Sequence, residues 1–194
     1  MNEASEVIKN MNTKEISIDS FKSKFETGAR PYLFYFEPFF PKGLPGVSTG
    51  VDSPRFLVRS TGLPSSTIEE LRTPWQGFDY IQGGKRSFGD FTVSFHVDLK
   101  ASLRKQFLAW HDLILDPKTN VHAYPSEYFV DQYVVLLGLD FQPILSYRLW
   151  YAFPSDIGAV TLDYGAAGDM ANFDVTFKYT YHTWSEDPDR EIGL

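Results

Sequence analysis

A glycine pair followed by lysine can cradle phosphate oxygens with backbone donors and an ammonium, and the chain carries such a run at Gly83-Gly84-Lys85. A phosphate loop also requires a glycine five residues before the Gly-Lys pair and a hydroxyl residue after it. Asp79 and Arg86 occupy those places, so the run is read as a turn, where glycine admits positive φ. His96 and Asp98 share a strand face and could supply two metal ligands; the competing reading is a polar-face histidine followed by a helix N-cap. His111 and Asp112 are neighbours on a helix and point to different sides, so they cannot act on one site. His122 and His182 have no second ligand at zinc-protease spacing. The chain has no cysteine and no Gly-x-Ser-x-Gly elbow, which removes the marked forms of covalent catalysis. Paired carboxylates for glycoside hydrolysis cannot be chosen across a sheet from sequence. Trp75, Tyr80 and Trp150 would be the ring platforms of a non-catalytic carbohydrate-binding module. The expectation is a protein that is no enzyme and holds no metal or cofactor.

The elements that would position these side chains follow from composition and periodicity. A length of 194 residues suits one domain with peripheral ornament, and 16% aromatic residues favour a mainly β fold, because flat side chains pack well on pleated surfaces. The net charge of -7 is opposite to the basic footprint of phosphate-binding proteins and disfavours tight DNA binding. Met1 to Glu6 lack a basic, then apolar, leader pattern, and no apolar run reaches bilayer length, so a soluble protein without a secretory signal or membrane segment is expected. Missing disulfides fit a reducing compartment.

Residues 1–27 read as a polar N-terminal arm on which Ile16, Ile18, Phe21 and Phe25 form one weak helical face. Residues 28–184 read as the β domain, with a Pro/Gly-rich loop insertion at 38–54 and a long hairpin at 67–87; residues 185–194 form a charged tail. Within the domain, strands are expected at Tyr32–Glu37 and Phe56–Ser60. The hairpin should bend near Pro74 and Gly77, with Gly83-Gly84 at its far end. In Phe91–Asp98, Val93, Phe95 and Val97 face one way, and Asp98 can cap the next segment. Leu103, Phe107, Trp110 and Ile114 recur at helical spacing, ending at Asp116-Pro117. Further strands are expected at Phe129–Leu139, Tyr147–Phe153 and Val160–Tyr164, with Gly138, Pro143 and the run from Pro154 to Gly158 between them. The last strand sets Phe173, Val175, Phe177 and Tyr179 against one buried face.

Taken in order, Gly62-Leu63-Pro64, Trp75-Gln76-Gly77, Gly83 to Arg86, Phe88 to Val93, Arg104 to Trp110, Leu149-Trp150, Pro154 to Gly158, Leu162 to Tyr164 and Phe173 to Phe177 resemble the T4-like tail-tube proteins of contractile bacteriophages. The resemblance implies two antiparallel sheets packed as a sandwich or small barrel with one flanking helix. It implies a structural role in which hexameric rings close by joining sheets and stack into a tube. The implied partners are other copies of the chain, a tail sheath, a tube-initiating baseplate protein, a tape-measure protein in the lumen, and DNA only as transient, non-specific cargo. The implied location is the virion tail, after assembly in the host cytoplasm. The same fold builds tubes of type VI secretion and extracellular injection systems, and the extra arm, loop and tail also leave a tube-initiating baseplate protein open. The hairpin, through Arg72, Trp75, Gln76, Tyr80, Gln82, Lys85 and Arg86, is expected to make ring-to-ring contacts, since aromatic and arginine side chains anchor interfaces.

Overall fold

The computed structural model describes residues 28–44, 54–165 and 168–186, together with Ile18, Lys22 and Phe25. Most of the expected arm, the centre of the 38–54 loop and the end of the tail therefore lie outside the described residues. Ile18 and Phe25 are helical and exposed.

Among the described residues, aromatic and β-branched runs form nine strands: β1 Phe34–Glu37, β2 Val58–Thr61, β3 Ser66–Trp75, β4 Phe78–Phe88, β5 Phe91–His96, β6 Val130–Leu137, β7 Pro143–Ile157, β8 Asn172–Lys178 and β9 Tyr181–Ser185. Two helices are labelled, α1 Ser102–Ile114 and the single-turn α2 Pro125–Tyr128. The fold is mainly β, with two antiparallel sheets and one main helix. A seven-stranded sheet runs β1-β6-β7-β8-β5-β2 with β9 also on β7, while among the described residues β3 and β4 pair only with each other.

The large sheet doubles over a shared core, so that Phe36 of β1 meets Phe91 of β5 at 5.6 Å and Phe177 of β8 at 6.4 Å between ring centroids. Helix α1 covers this core: Phe107 lies 5.3 Å from Phe95 and 6.0 Å from Phe177, and Trp110 is 6.3 Å from Phe177. Val93, Phe95, Leu103, Phe107, Trp110, Phe173, Val175 and Phe177 are buried, whereas Val97, Ile114 and Tyr179 are half-buried against the same cluster. Asp98 accepts from the backbone N–H groups of Ser102 at 3.0 Å and Leu103 at 3.4 Å, which satisfies donors that a helix start leaves open. Its carboxylate is thereby spent on the helix, against the metal-pair reading with His96.

Several boundaries differ from the sequence expectation. The strand expected at Phe56–Ser60 begins only at Val58, after a 3-10 turn over Pro54–Leu57. Strand β7 is continuous through Pro143 and Pro154, where composition alone predicts breaks. Pro143 opens the strand, and Pro154 lies beyond Ala152, where pairing with β6 ends, so its missing donor breaks no bond on that side. The expected strand at Val160–Tyr164 does not form; the ladder closes at the Gly158 N–H to Asp174 oxygen bond of 2.7 Å, and Leu162 and Tyr164 lie exposed. The single expected last strand is cut at Tyr179-Thr180 into β8 and β9. The cut faces Tyr151, whose φ of 56° kinks β7, and Thr180 N–H still reaches the Trp150 oxygen at 3.0 Å. At the start of the 38–54 loop, the buried Gln132 amide exchanges two hydrogen bonds with the Phe39 backbone, at 2.8 and 3.0 Å, and Phe40 packs 5.0 Å from Phe107.

Candidate functional site

The hairpin β3–β4 stands apart from this core. The ten residues of β3 extend about 30 Å at the strand rise, and every side chain from Ser66 to Ser87 is exposed. It turns at Gln76-Gly77, whose φ values of 44° and 86° match the two-residue turn that follows the natural strand twist. Gly77 thus sits at the bend, as its position suggested. Gly83-Gly84 do not form a hairpin end: between the Ile68–Arg86 and Glu70–Gly83 pairs, β4 carries one extra residue, a bulge. Neither glycine has positive φ, and a Cβ on Gly84 would come within 3.1 Å of the Glu69 carbonyl oxygen, so close backbone approach explains the glycine there.

Register sorts the hairpin side chains by face. Residues directly opposite in an antiparallel pair share a face, and the pairs Leu71–Gln82, Thr73–Tyr80 and Trp75–Phe78 form one of them. That face is apolar and exposed: Leu71 is 55%, Trp75 68%, Phe78 79% and Tyr80 62% accessible. Thr73, Trp75, Phe78, Asp79 and Tyr80 line a shallow cleft near the tip. The reverse face carries Arg72, which bonds Glu70 at 2.6 Å and lies 3.9 Å from Asp79. Among the seven residues singled out from sequence, Trp75, Tyr80 and Gln82 therefore share the apolar face and Arg72 lies behind it. Gln76 forms the turn, Lys85 belongs to the bulge, and Arg86 lies toward the root. Leu71 and Phe78 complete the apolar face and were missed. Their signal was alternation, Leu71-x-Thr73-x-Trp75 answered by Phe78-x-Tyr80-x-Gln82.

The root is held by rings. Phe88 meets His182 at 5.0 Å and Tyr179 at 6.1 Å, and Gly89 N–H donates to the Ser65 oxygen at 3.0 Å. Burial and the nearby Asp90 carboxylate push the Tyr179 phenol up to about 12. Burial first, then the Arg86 guanidinium, hold His182 below its ordinary value, so this packed imidazole is neutral near pH 7. Asp90 forms an ion pair with Lys178 of β8.

Trp150 is not a free sugar platform. Its ring stacks on Tyr181 at 5.6 Å, the Arg148 guanidinium lies 3.6 Å from its centroid, and its Nε1 donates to Thr183. Arg148 also bonds Asp131 at 2.7 Å and lies 5.4 Å over Tyr133, completing an aromatic and cationic ladder on the outer face of β6–β7–β9.

Comparison with known proteins finds relatives over most of the chain. The chain is 25% identical over 171 residues to the tail tube protein gp19 of Enterobacteria phage T4, which covers 84% of this chain and 98% of that protein. It is 24% identical over 139 residues to the tail tube protein of Serratia phage KSP90, covering 70% and 78% respectively. In fold it is similar to a chain of the anti-feeding prophage tube-terminating cap (TM-score 0.59, 14% identity, 82% of this chain and 92% of that one). It is likewise similar to a chain of an extracellular contractile injection system sheath-tube complex (TM-score 0.55, 14% identity, 88% and 100%). Residues 21–185, spanning the whole β body and its hairpin, match the phage tail tube protein family, whose members are structural rather than catalytic, and the chain belongs to that family.

Proposed function

We propose that the chain is the tube subunit of a contractile phage tail, in which hexameric rings stack and the β3–β4 blade of each subunit docks its apolar face on the next ring. The observation that carries the docking role is that face itself: Leu71, Trp75, Phe78 and Tyr80 exposed together, with charges on the back. At their fractional exposures the four side chains offer about 400–500 Å², at the upper range of a monomer's largest apolar patch. Covering it is worth about 10–12 kcal/mol at the usual area coefficient. One such contact roughly offsets the cost of fixing one subunit on another. A ring that makes all its contacts at once loses its freedom only once, so stacking is strong for rings and weak for single subunits.

The tube so formed is a virion component assembled in the host cytoplasm, inside a sheath and on a baseplate initiator. It surrounds a tape-measure protein and later passes DNA. The phage reading is favoured over an injection system because the relatives recognisable by sequence are phage tube proteins. Deleting residues 74–84 and bridging with a short Gly-containing turn tests the blade. Electron micrographs should show single rings and no tubes, and tubes as long as the parent's would refute the docking role.

A further inference from the structure

We infer that the acidic segment 186–191, which leaves the end of β9, docks in the basic cleft between β1 and β2 of its own subunit and covers the open edge of β2. The docking concerns the single subunit, and its consequence for assembly rests on the tube reading above. Strands β1 and β2 are the two ends of the seven-stranded sheet, and they lie on either side of a cleft of about 800 Å³. Tyr32, Tyr35 and Phe56 line it with rings that are 71, 37 and 75% accessible. Arg55 and Arg59 line it too, and no described residue lining it is acidic. The Arg55 guanidinium lies 4.8 Å from the Phe56 ring centroid and 6.0 Å from that of Tyr35, and neither arginine makes an ion pair among the described residues. The Glu37 carboxylate, beside the cleft, accepts from the Tyr35 hydroxyl. A guanidinium over a ring keeps its fork of N–H donors for a carboxylate.

Register brings the segment within reach of this cleft. Ser185 pairs with Ser146, Ser146 with Val135 and Val135 with Tyr35, so these residues form one row across β9, β7, β6 and β1. Three strand spacings separate Ser185 from Tyr35, about 14 Å. The buried Ser146 hydroxyl donates to the Ser185 carbonyl oxygen at 2.9 Å and fixes the point of departure. Strand β9 runs parallel to β6, toward the end of the sheet where the Leu137 N–H meets the Leu33 oxygen, next to Tyr32. Six residues span about 20 Å when extended, enough to lay acids over Arg55 and Arg59. The segment reads Glu-Asp-Pro-Asp-Arg-Glu, four carboxylates and one guanidinium against the two guanidiniums of the cleft. Exposed ion pairs are individually weak, but a tethered segment meets its cleft at roughly millimolar effective concentration. The family match ends at residue 185, so the contact belongs to this chain and not to the shared body. Val58 to Thr61 all line the cleft, and β2 pairs only with β5 among the described residues, so the docked segment occupies the edge at which β2 could take another strand.

The chain contains no cysteine, so Ser60→Cys with Asp189→Cys sets one thiol in the cleft and one on the segment. Dissociated subunits at low concentration are oxidised with diamide, and the products are read by mass spectrometry and non-reducing gels. The expected product is a disulfide within one subunit, formed about tenfold more slowly once Arg55→Glu and Arg59→Glu are added, because two exposed attractions become repulsions. Equal rates with and without the charge reversal, disulfides only between copies, or no disulfide at all would each overturn the docking. A spin label on Asp189→Cys alone, with the cleft unaltered, should broaden the amide resonances of Tyr35 and Ser60, and unbroadened resonances would overturn it independently. For assembly, the full chain carrying Glu186→Gln, Asp187→Asn, Asp189→Asn and Glu191→Gln should start tubes sooner than the parent, and an unchanged onset would overturn the covering of β2. If the disulfide forms as expected while the parent makes no tubes under any condition, the tube reading falls and the docking stands.

Discussion

Replacing Phe177 with Ala tests whether the β8 alternation, rather than the chain's general aromatic content, holds the two halves of the sheet together. Phe177 is fully buried and meets Phe36, Phe91, Phe107 and Trp110 at 6.4, 6.3, 6.0 and 6.3 Å, so one ring bridges β1, β5 and α1. Truncating a buried phenylalanine costs about 3–5 kcal/mol, and the several aromatic neighbours put this site toward the upper end, because none can fill the space without losing its own packing. For a domain of this size each kcal/mol lowers Tm by roughly 2–4 °C, so a fall of about 6–20 °C is expected. The control is Thr176→Ala, one residue earlier and on the opposite face, which removes a single hydroxyl bond at 3.1 Å and should cost about 0.5–1.5 kcal/mol. Urea and thermal denaturation followed by circular dichroism, on dissociated subunits at one fixed concentration, separate the two. Equal losses would mean that the faces of β8 are assigned wrongly.

Burial raises the pKa of Asp98, but the hydrogen bonds from Ser102 and Leu103 outweigh it and hold the carboxyl below its ordinary value. Its stabilisation is therefore present above the ordinary carboxylate range and lost as pH falls through the lowered value; Asp98→Ala should cost about 0.5–2 kcal/mol at neutral pH. Urea midpoints should show the difference from the parent shrinking below about pH 4, and a constant difference would refute the cap. His182, held low, is a group the unfolded chain protonates more readily, so stability should fall from neutral pH toward about pH 5.5. Protection factors of amides at the Phe88 root, corrected for the intrinsic pH dependence of exchange, should fall over the same interval, and His182→Phe should flatten both; an unchanged pH slope in that variant would remove the claim. Duplex DNA at physiological salt should bind the dissociated subunit no tighter than micromolar by fluorescence anisotropy, given the net charge of -7, and nanomolar binding would overturn the proposal that DNA passes the tube as transient, non-specific cargo.

Much of the body was legible because its elements are strictly periodic. The α1 face of Leu103, Phe107 and Trp110 and the alternation of β5 and β8 each leave one way to bury a surface. The errors fall where pairing, not propensity, decides. Pro154 looks like a breaker until its place beyond the end of β6 is known, and Tyr179-Thr180 continue the apolar pattern although the kink at Tyr151 forces the strand to restart. Gly83-Gly84 advertise a turn by composition and serve as a bulge because β4 holds one residue more than β3. For the candidate site, residue types pointed to the hairpin, but its faces depend on register. A one-residue slip would have set Arg72 opposite Tyr80 or Gln82 and taken Phe78 away from Trp75, dissolving the apolar face.

The continuous strand β7 also decides how the molecule bears mechanical load. Fifteen residues long and about 50 Å at the strand rise, it is flanked by β6 on one side and by β8 and then β9 on the other. Tension along its axis loads both ladders in shear, so many hydrogen bonds must fail together. The β3–β4 blade answers to pulling at its tip differently: its two strands are joined through the Gln76-Gly77 turn and carry the load together to the root, where Phe88 and Gly89 hold it. If the blades dock as proposed, a sudden axial load should leave the body a rigid strut and fall on the blade roots, so that a tube parts between rings rather than through them.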